Sequence, residues 1–559
     1  MVARKLLRRH QPSANHMHMK HIENQDDATQ ALYEIQQALI SVATLELWNE
    51  ETLVTEIARD NLEFSVEWGK LIFAWWDEAR AENWRITNFE IKAGQIDLRG
   101  VRGMGREAAR FRLRAPSRSH VNISSSETLS RDERRLKYAN QLAEIISHHF
   151  DDVRIERLSV RGTNSQGTVS KYARLVLREG KMIKLAFGIG AGESQNEIDD
   201  SLALAIAWID QFNQKRATKA HAQADRLWLC VPREKSRTLA ERLSLLETTH
   251  LNARIELFEV DEEAGEMFSV RPFTQAELLN EHPHKLKWPS EAGKSVWRRR
   301  IVSLAPELIE VREDLNGEAE TYSIHGLEFA RTKGLRREEA VFGIAYRAEE
   351  SNPQSEHWRS ESARKRLTES SFGELKRLVE TLIKYRSATT PDKEHPFFRL
   401  RAEAWLESLL RRDIRQLDPT LDERFIYSQV PAWRGDERAM IDLLTVNHHG
   451  RLVIIEIKAS EDPQLPLQGL DYWIKVEQAR RGGDFYRRGL FANVELIDAP
   501  AILYLVAPQL RFHRSFATVA RCLASEIEAY RVGVNLNWRE GVRVRAMERV
   551  NIQKEFEQQ

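Results

Sequence analysis

The amino-acid sequence predicts a multidomain α/β protein, and three observations lead to this prediction. The chain of 559 residues is too long to fold around a single hydrophobic core. Helical periodicity alternates with short apolar runs that are typical of strands. One succession of helices and strands also occurs twice, at about 130–260 and again at about 400–535.

The composition indicates a protein of a reducing compartment. Lys+Arg and Asp+Glu both number 84, so any nucleic-acid surface has to be a local patch. The two cysteines, Cys230 and Cys522, lie in apolar runs, which argues against disulfides and thiolate zinc sites. No apolar run approaches the ~18 residues that span a bilayer, and no secretory signal is present. We therefore expect a cytoplasmic protein without membrane contact.

The repeated succession is helix, strand, hairpin, helix, strand and helix. The helices are predicted at 134–150, 201–212 and 238–247 in the first copy, and at 402–414, 467–476 and 516–530 in the second. Arg154 precedes the hairpin glycine Gly180 by 26 residues, and the same 26 residues separate Arg424 from Gly450. We interpret the two stretches as copies of one α/β/α unit. Aligned on these glycines, the first copy has Tyr172, Ala186 and Gly188 where the second has Asp442, Glu456 and Lys458. The first copy is therefore predicted to be degenerate and catalytically silent, serving as a scaffold, a dimer surface or a polymer-binding surface.

The remaining segments are smaller. We expect small β-rich modules before and between the copies, each marked by alternating apolar residues and turn glycines. The predicted division is a disordered basic tail (1–26), a small α+β module (27–120), the degenerate copy (130–262), a β-rich linker module with a basic and aromatic segment (284–380), the second copy (395–540), and a terminal strand with a polar tail (541–559).

The chemistry is concentrated in the second copy, in the hairpin around Gly450. Residues two apart in a strand share one face, so Glu456 and Lys458 point the same way. The hairpin turn can bring Asp442 near Glu456. The apolar runs that flank them indicate a largely buried hairpin, in which charges need partners. A surface cluster of ion pairs is the alternative, and the apolar flanks argue against it.

Two carboxylates of this kind favour a hard divalent cation. Asp442 and Glu456, with the backbone carbonyl of Ile457 and waters, would provide the oxygen ligands that Mg²⁺, or Mn²⁺, prefers. Such an ion activates water and neutralises charge on a scissile phosphate. Lys458 could orient that water or stabilise the developing charge.

These residues resemble the PD-(D/E)xK nuclease superfamily. Asp442 and Glu456-Ile457-Lys458 match its motif, and Gln468 and Tyr472 match the Q-x-x-x-Y motif of the RecB-like branch. The residue before Asp442 is isoleucine instead of proline. The resemblance implies a restriction-endonuclease-like α/β/α core with a mixed sheet. The resemblance implies that Gln468 and Tyr472 line the catalytic site and touch DNA or Lys458. The alternative for this pair is an amphipathic helix with an incidental Gln and Tyr.

The resemblance also implies an acidic residue from the helix before the sheet. Glu403 and Glu407 lie one turn apart there, and we prefer Glu403. The tripeptide Glu-Ile-Lys does not by itself identify a nuclease site. Glu90-Ile91-Lys92 repeats it in a stretch that has no aspartate on a preceding strand.

Basic side chains provide candidates for phosphate contact. The first set lies in and after the helix that carries the Q-x-x-x-Y motif, and consists of Lys475, Arg480, Arg481, Arg487 and Arg488. The second set lies in the linker module, and consists of Arg298, Arg299 and Arg300 beside Trp297. Aromatic planes among cations suit base stacking. The alternatives are a solvated helix end for the first set and a basic linker packed on a neighbouring domain for the second.

The sequence thus predicts a Mg²⁺-dependent nuclease that hydrolyses DNA, with RNA as an open substrate. The alternative is a catalytically silent, or a ligand- or partner-gated, nucleic-acid-binding scaffold. A homodimer is compatible with either prediction. The chain contains no ATPase motif, so a helicase or ATPase partner would be a separate chain.

Overall fold

The mixed α/β, multidomain class is confirmed by the computed structural model. The structure describes residues 19–551 apart from 40–43, 51, 59–61, 68–69, 77–80, 93–94, 103–106, 115–130, 161–171, 219–220, 281–294, 314–318, 334–338, 345–363, 435–436 and 488. These residues form four sheets and twelve α-helices. None of these helices is long and apolar enough to cross a membrane.

The N-terminal module is an antiparallel sheet with one helix packed against it. Its elements are β1 (Lys20–His21), α1 (Gln25–Leu39), β2 (Thr44–Asn49), β3 (Thr52–Ala58), β4 (Leu62–Glu67), β5 (Lys70–Trp76), β6 (Ala81–Lys92), β7 (Gln95–Arg102) and β8 (Glu107–Arg114). The apolar face of α1 packs on β4 and β5. Strand β1 pairs with β6, so the predicted disordered tail does not reach Lys20. The rest of that tail, 1–18, lies outside the described residues.

The first α/β unit follows. Its elements are α2 (Arg131–His149), β9 (Val153–Ser159), β10 (Ala173–Glu179), β11 (Met182–Gly188), α3 (Gln195–Ala217), β12 (Ala224–Pro232), α4 (Arg237–Leu243), β13 (Arg254–Asp261), β14 (Glu266–Val270) and α5 (Gln275–Asn280). Its sheet has the order β9-β10-β11-β12-β13-β14. Apolar side chains of α2 cover one face of this sheet, and those of α3 cover the other.

The middle module is an antiparallel five-stranded sheet with a helix on one face. Its elements are α6 (Arg298–Val302), β15 (Ile309–Glu313), β16 (Glu320–Ile324), β17 (Leu327–Lys333), β18 (Glu339–Phe342), β19 (Lys365–Arg366), α7 (Phe372–Tyr385) and α8 (Pro396–Arg399). Leu375, Val379 and Leu382 recur at helical spacing on α7 and are buried in the module's core.

The second α/β unit completes the chain. Its elements are α9 (Ala402–Arg412), β20 (Tyr427–Arg434), β21 (Glu437–Val446), β22 (Leu452–Ile457), α10 (Leu465–Arg481), α11 (Asp484–Arg487), β23 (Ile502–Pro508), α12 (Phe516–Ala520), β24 (Ala529–Val534) and β25 (Val544–Arg549). The terminal strand β25 pairs with β24, so this unit extends to Arg549. The helix predicted through residue 530 ends at Ala520, because the chain turns at Leu523 to pair with Leu246 of the first unit.

The two units have the same sheet topology. In each, the first three strands are antiparallel, the third to fifth are parallel, and the sixth is antiparallel again. The amides of Ile189 and Lys458 both donate to the strand that follows, at Cys230 and Val506. This pairing corrects the glycine-based alignment: Arg174, Phe187 and Ile189 occupy the positions of Asp442, Glu456 and Lys458. None of the three can supply a carboxylate.

The units pack against each other through equivalent elements. Helix α3 contacts α12, and α4 contacts α10, so the contact is reciprocal in the manner of an isologous dimer. One hydrophobic core continues across both units. At its centre Leu246 and Leu523 form an antiparallel bridge, flanked by hydrogen bonds from the Glu247 amide to Cys522 and from the Ala524 amide to Leu245.

The middle module packs on α9, the helix that carries Glu403 and Glu407. Arg412 donates to Glu310 Oε1 at 3.1 Å and to the Leu308 carbonyl at 3.0 Å. The Arg386 guanidinium is fully buried and binds five backbone carbonyls around the β16–β17 turn and the start of α9. Hydrogen bonds therefore join the module to the second unit.

A substitution at Gly326 tests the contact between the middle module and α9. The φ of Gly326 is +73°, and a Cβ there would lie 2.1 Å from the Ala404 carbonyl oxygen. We expect Gly326→Ala to destabilise the fold by about 2 kcal/mol or more, through backbone strain and overpacking. Gly265→Ala is the matched control, since Gly265 has φ +71° and a Cβ there would meet no atom within 4 Å. Equal losses of unfolding free energy in the two variants would contradict the docking.

Candidate active site

Asp442 and Glu456 meet where the hairpin strands separate. The pairing of β21 with β22 includes Leu443 opposite Ile455, and one further step places Asp442 opposite Glu456. At this step a side-chain hydrogen bond takes the place of backbone pairing between the strands, because Asp442 Oδ2 accepts the amide of Ile457 at 2.9 Å. Burial raises the pKa of Asp442 to about 7, although Lys458 opposes this shift. The site thus begins where strand pairing ends.

Glu456 is the most deeply buried member of the site. It is 2% exposed, and its Oε2 has no hydrogen-bond partner among the residues that the structure describes. Burial and the nearby Asp442 carboxylate raise its pKa well above the ordinary value. A buried carboxylate oxygen without a partner is costly, and a cation bound there would remove that cost.

Lys458 lies among carboxylates. Its Nζ is 3.4 Å from Glu456 Oε1, 3.9 Å from Glu403 Oε2 and 4.0 Å from Asp462 Oδ2. Burial lowers the pKa of this amine, but Glu403, Glu456, Asp462 and Asp442 more than offset that effect and hold it well above the usual range. Lys458 is therefore a permanent cation that can donate to a water or a phosphate oxygen.

Both acidic candidates on α9 reach the site, at different depths. Glu403 is partly exposed, lies near Lys458 and accepts the Ala459 amide at 3.4 Å. Glu407 is buried, and burial raises its pKa. It lies 3.4 Å from the Arg312 guanidinium of the middle module.

Gln429 is a member of the site that the sequence analysis missed. It lies opposite Asp442 in the β20–β21 register but drops out of the ladder, with φ at +52°. Its amide nitrogen donates to Glu407 Oε2 at 2.9 Å and to Asp442 Oδ1 at 3.3 Å. A left-handed glutamine is a strained conformation, and such strain is concentrated at functional sites. Gln429 thus fixes the Asp442 carboxylate relative to α9.

Gln468 and Tyr472 lie on α10, on the side of the sheet where the two units meet. The Gln468 side-chain oxygen is buried and has no hydrogen-bond partner within the described part of the chain. Tyr472 is buried in the core that the units share. No described hydrogen bond joins Gln468 to Asp442, Glu456 or Lys458. The contribution of Gln468 and Tyr472 to the catalytic site stays a prediction.

The basic residues of the second unit are engaged within the chain. Lys475 pairs with Glu241 of the first unit at 3.6 Å. Arg480 pairs with the buried Glu477 at 2.8 Å and with Asp498, and Arg481 lies 3.9 Å from Glu477. Arg487 pairs with Asp484, and Arg488 lies outside the described residues. Any phosphate contact by Lys475 or Arg480 would compete with these acids.

The linker-module candidates lie on and beside α6. Arg298 pairs with Glu320 at 2.9 Å, and Arg300 pairs with Glu369 and lies over the Phe372 ring. Trp297 stacks parallel to Phe372 of α7, within the same module. Arg299 is exposed. Residues 281–294, the rest of the basic and aromatic segment, lie outside the described residues.

The donor set fits a hard cation with few protein ligands. The described residues contain no group of three or more His, Cys, Asp or Glu side chains placed to hold a metal ion. Asp442 and Glu456 would therefore be joined by the Ile457 carbonyl and by water, as Mg²⁺ commonly is. The unpartnered Oε2 of Glu456 is the structural feature that favours such an ion.

The raised pKa of Asp442 predicts a pH dependence of stability. Between pH about 4 and about 7 the folded chain holds a proton that the unfolded chain has released, so this group's contribution to stability falls as pH rises. We expect Asp442→Asn to remove that part of the decline in metal-free protein. The measurement is the free energy of unfolding by urea at pH 5 and pH 8 with EDTA. Parallel pH profiles for the two proteins would contradict the assignment.

Comparisons with models of protein families, with curated proteins and with solved structures find no match to this chain.

Proposed function

We propose that the chain is a Mg²⁺-dependent nuclease of the PD-(D/E)xK superfamily, RecB-like branch, and that it hydrolyses DNA phosphodiester bonds at Asp442, Glu456 and Lys458. The observation that carries the proposal is the buried carboxylate pair with one unpartnered oxygen, set beside a charged lysine at the end of a hairpin. The mixed six-stranded sheet between helices agrees with the restriction-endonuclease-like core that the resemblance implies.

Each residue has a distinct task in the proposed reaction. The bound ion would supply Lewis acidity toward water and phosphate. Asp442 and Glu456 hold it, and both need to be ionised, so binding becomes stronger as pH rises through about 7. Lys458 orients the attacking water and donates to the phosphate oxygens, where negative charge develops during in-line displacement. Gln429 and Glu407 keep Asp442 in position.

The remaining chain is proposed to aim this site. The first unit has Arg174, Phe187 and Ile189 at the catalytic positions and would act as a scaffold. The basic candidates whose side chains remain accessible to a phosphate backbone are the exposed Arg299, Arg481 at the end of α10 and Arg487 at the end of α11.

Gating by a partner or ligand is the second candidate, and one contact favours it. Arg312 of the middle module reaches Glu407, which is hydrogen bonded through Gln429 to Asp442. A displacement of the middle module would therefore alter the position of a metal-binding carboxylate. In this form the nuclease would be silent until a partner moves the module.

The test is a cleavage panel with purified full-length protein. Circular and linear, single- and double-stranded DNA and an RNA are each incubated with Mg²⁺, Mn²⁺, Ca²⁺ or EDTA. We expect cleavage with Mg²⁺ or Mn²⁺ and none with EDTA. Absence of metal-stimulated cleavage of every substrate, together with retained DNA binding, would favour the non-cleaving scaffold.

A further inference from the structure

The first unit has a cleft at the same end of its sheet where the second unit has its carboxylates. Its volume is about 260 Å³, and it lies between α2 and the carboxyl end of β11. Its lining includes Tyr138 and Arg134 of α2, Tyr172 before β10, Gly188 at the end of β11, Gly190 after it, and Glu262. Ligands of parallel α/β sheets bind at the carboxyl ends of the strands. The position of the cleft therefore suits a small ligand.

A glycine-rich loop forms one wall of this cleft. Gly188, Gly190 and Gly192 alternate between β11 and α3, which is a strand, glycine loop and helix within a parallel crossover. A Cβ on Gly188 would lie 2.2 Å from Leu142, and one on Gly190 would lie 3.0 Å from the Tyr138 ring. The spacing departs from G-x-G-x-x-G, because the third glycine comes one residue early. Glycines at 188 and 190 therefore let α2 approach this end of β11 closely.

Tyr138 gives the second, independent sign of a ligand. Its side chain is 6% exposed, and its hydroxyl has no hydrogen-bond partner among the described residues. Tyr138 lines the cleft, and its hydroxyl lies 3.3 Å from where a Gly188 Cβ would be. A buried phenol without a partner is costly, and a ligand oxygen in the cleft would satisfy it.

The charges in the cleft favour an anion. Arg134, Arg135 and Lys137 face two acids, Glu193 and Glu262. Arg135 is paired with Glu193 at 2.6 Å and lies over the Tyr172 ring, and the side chains of Arg134 and Lys137 are exposed. Within the loop, the Ala191 amide donates to the Glu262 carboxylate, so the loop already presents an amide to an anionic oxygen.

We propose that the first unit binds a small phosphate-bearing ligand of mononucleotide size in this cleft. The phosphate would lie between the Ala191 amide and the Arg134 and Lys137 side chains, displacing the Glu262 carboxylate from that amide. The Tyr138 hydroxyl would donate to a ligand oxygen, and the Tyr172 ring would offer an apolar surface for a base. This proposal is independent of DNA cleavage, because it concerns binding by the other unit.

Calorimetric titration of the full chain tests the proposal with three probes: AMP, inorganic phosphate and adenosine. We expect saturable binding of AMP, weaker binding of phosphate and none of adenosine. Arg134→Glu/Lys137→Glu should weaken AMP binding at least tenfold, because it replaces two cations beside the phosphate with acids. Both side chains are exposed, so the substitutions leave the core intact. Lys181→Glu, in the turn between β10 and β11, is the matched charge reversal and should leave the affinity unchanged.

Tyr138→Phe provides a second variant with almost the same side-chain volume. It should fold as the native chain does and lose about fivefold in AMP affinity, the value of one hydrogen bond. Binding of adenosine equal to that of AMP would overturn the phosphate assignment. No binding of any probe at millimolar concentration, or equal AMP binding by the double variant and by Lys181→Glu, would overturn the site.

Discussion

Glu456→Gln is expected to reduce metal-dependent DNA cleavage by at least a thousandfold. The substitution keeps the size of the side chain but removes the charge of the buried carboxylate whose Oε2 has no hydrogen-bond partner in the described structure. With the charge gone, Asp442 loses the second carboxylate of the candidate metal site, and affinity for a hard cation falls accordingly. The measurement is the initial rate of cleavage with saturating DNA across a Mg²⁺ titration.

The variant is also expected to remain folded, and to be somewhat more stable than the native chain without metal. Glutamine removes the unfavourable ionisation of a buried group whose pKa is raised by burial and by Asp442. Higher thermal stability combined with lost cleavage separates a functional carboxylate from a structural one, since loss of a structural carboxylate would lower both.

The chain contains its own control for this experiment. Glu90-Ile91-Lys92 repeats the tripeptide Glu456-Ile457-Lys458 in the N-terminal sheet, where Lys92 Nζ lies 2.8 Å from Glu90 Oε2. Glu90→Gln should leave cleavage unchanged within about twofold. A similar loss in both variants, or full activity in Glu456→Gln, would exclude the proposed site.

Removing one partner of the Arg242–Asp471 pair is expected to destabilise the fold by about 3–5 kcal/mol, the cost of leaving one buried charge alone. Arg242 of α4 is 0% exposed and binds Asp471 of α10 through two hydrogen bonds, at 2.9 and 2.8 Å. It also donates to the Asp199 carbonyl of α3. Arg242→Met and Asp471→Asn should therefore each lower the midpoint of thermal unfolding by several degrees.

Two further variants make this prediction specific. Arg237→Met applies the same change one turn earlier on α4, where the arginine is 59% exposed and pairs with Glu241, and should cost less than about 1 kcal/mol. Arg242→Met/Asp471→Leu should cost less than the sum of the single changes, because it removes both charges together. Strict additivity would mean that the two groups do not interact.

The sequence was a good guide to elements whose signal is local. Helices α2, α3, α9 and α10 and both hairpins lie where periodicity and turn glycines predicted them. The repeat was visible because Gly180 and Gly450 are both turn residues with positive φ. Proximity of Asp442 to Glu456 followed from hairpin geometry alone.

Features set by tertiary contact were not visible in the sequence. Gln429 adopts a left-handed conformation that no pattern around it demands, so its bridge from Glu407 to Asp442 could not be foreseen. The alignment of the units was displaced because their hairpin turns differ in length, with Glu179 paired to Met182 in one and Val446 paired to Leu452 in the other. The early end of α12 depends on Leu246, which is distant in the chain.

The reciprocal packing of the two units has a consequence for how this protein can vary. In a homodimer of identical chains every substitution appears twice, so neither half can change alone. Here both halves belong to one polypeptide, their association is intramolecular, and dilution does not separate them. One half can therefore carry Arg174, Phe187 and Ile189 at the positions where the other carries Asp442, Glu456 and Lys458. The covalent link keeps these two different halves together in every molecule.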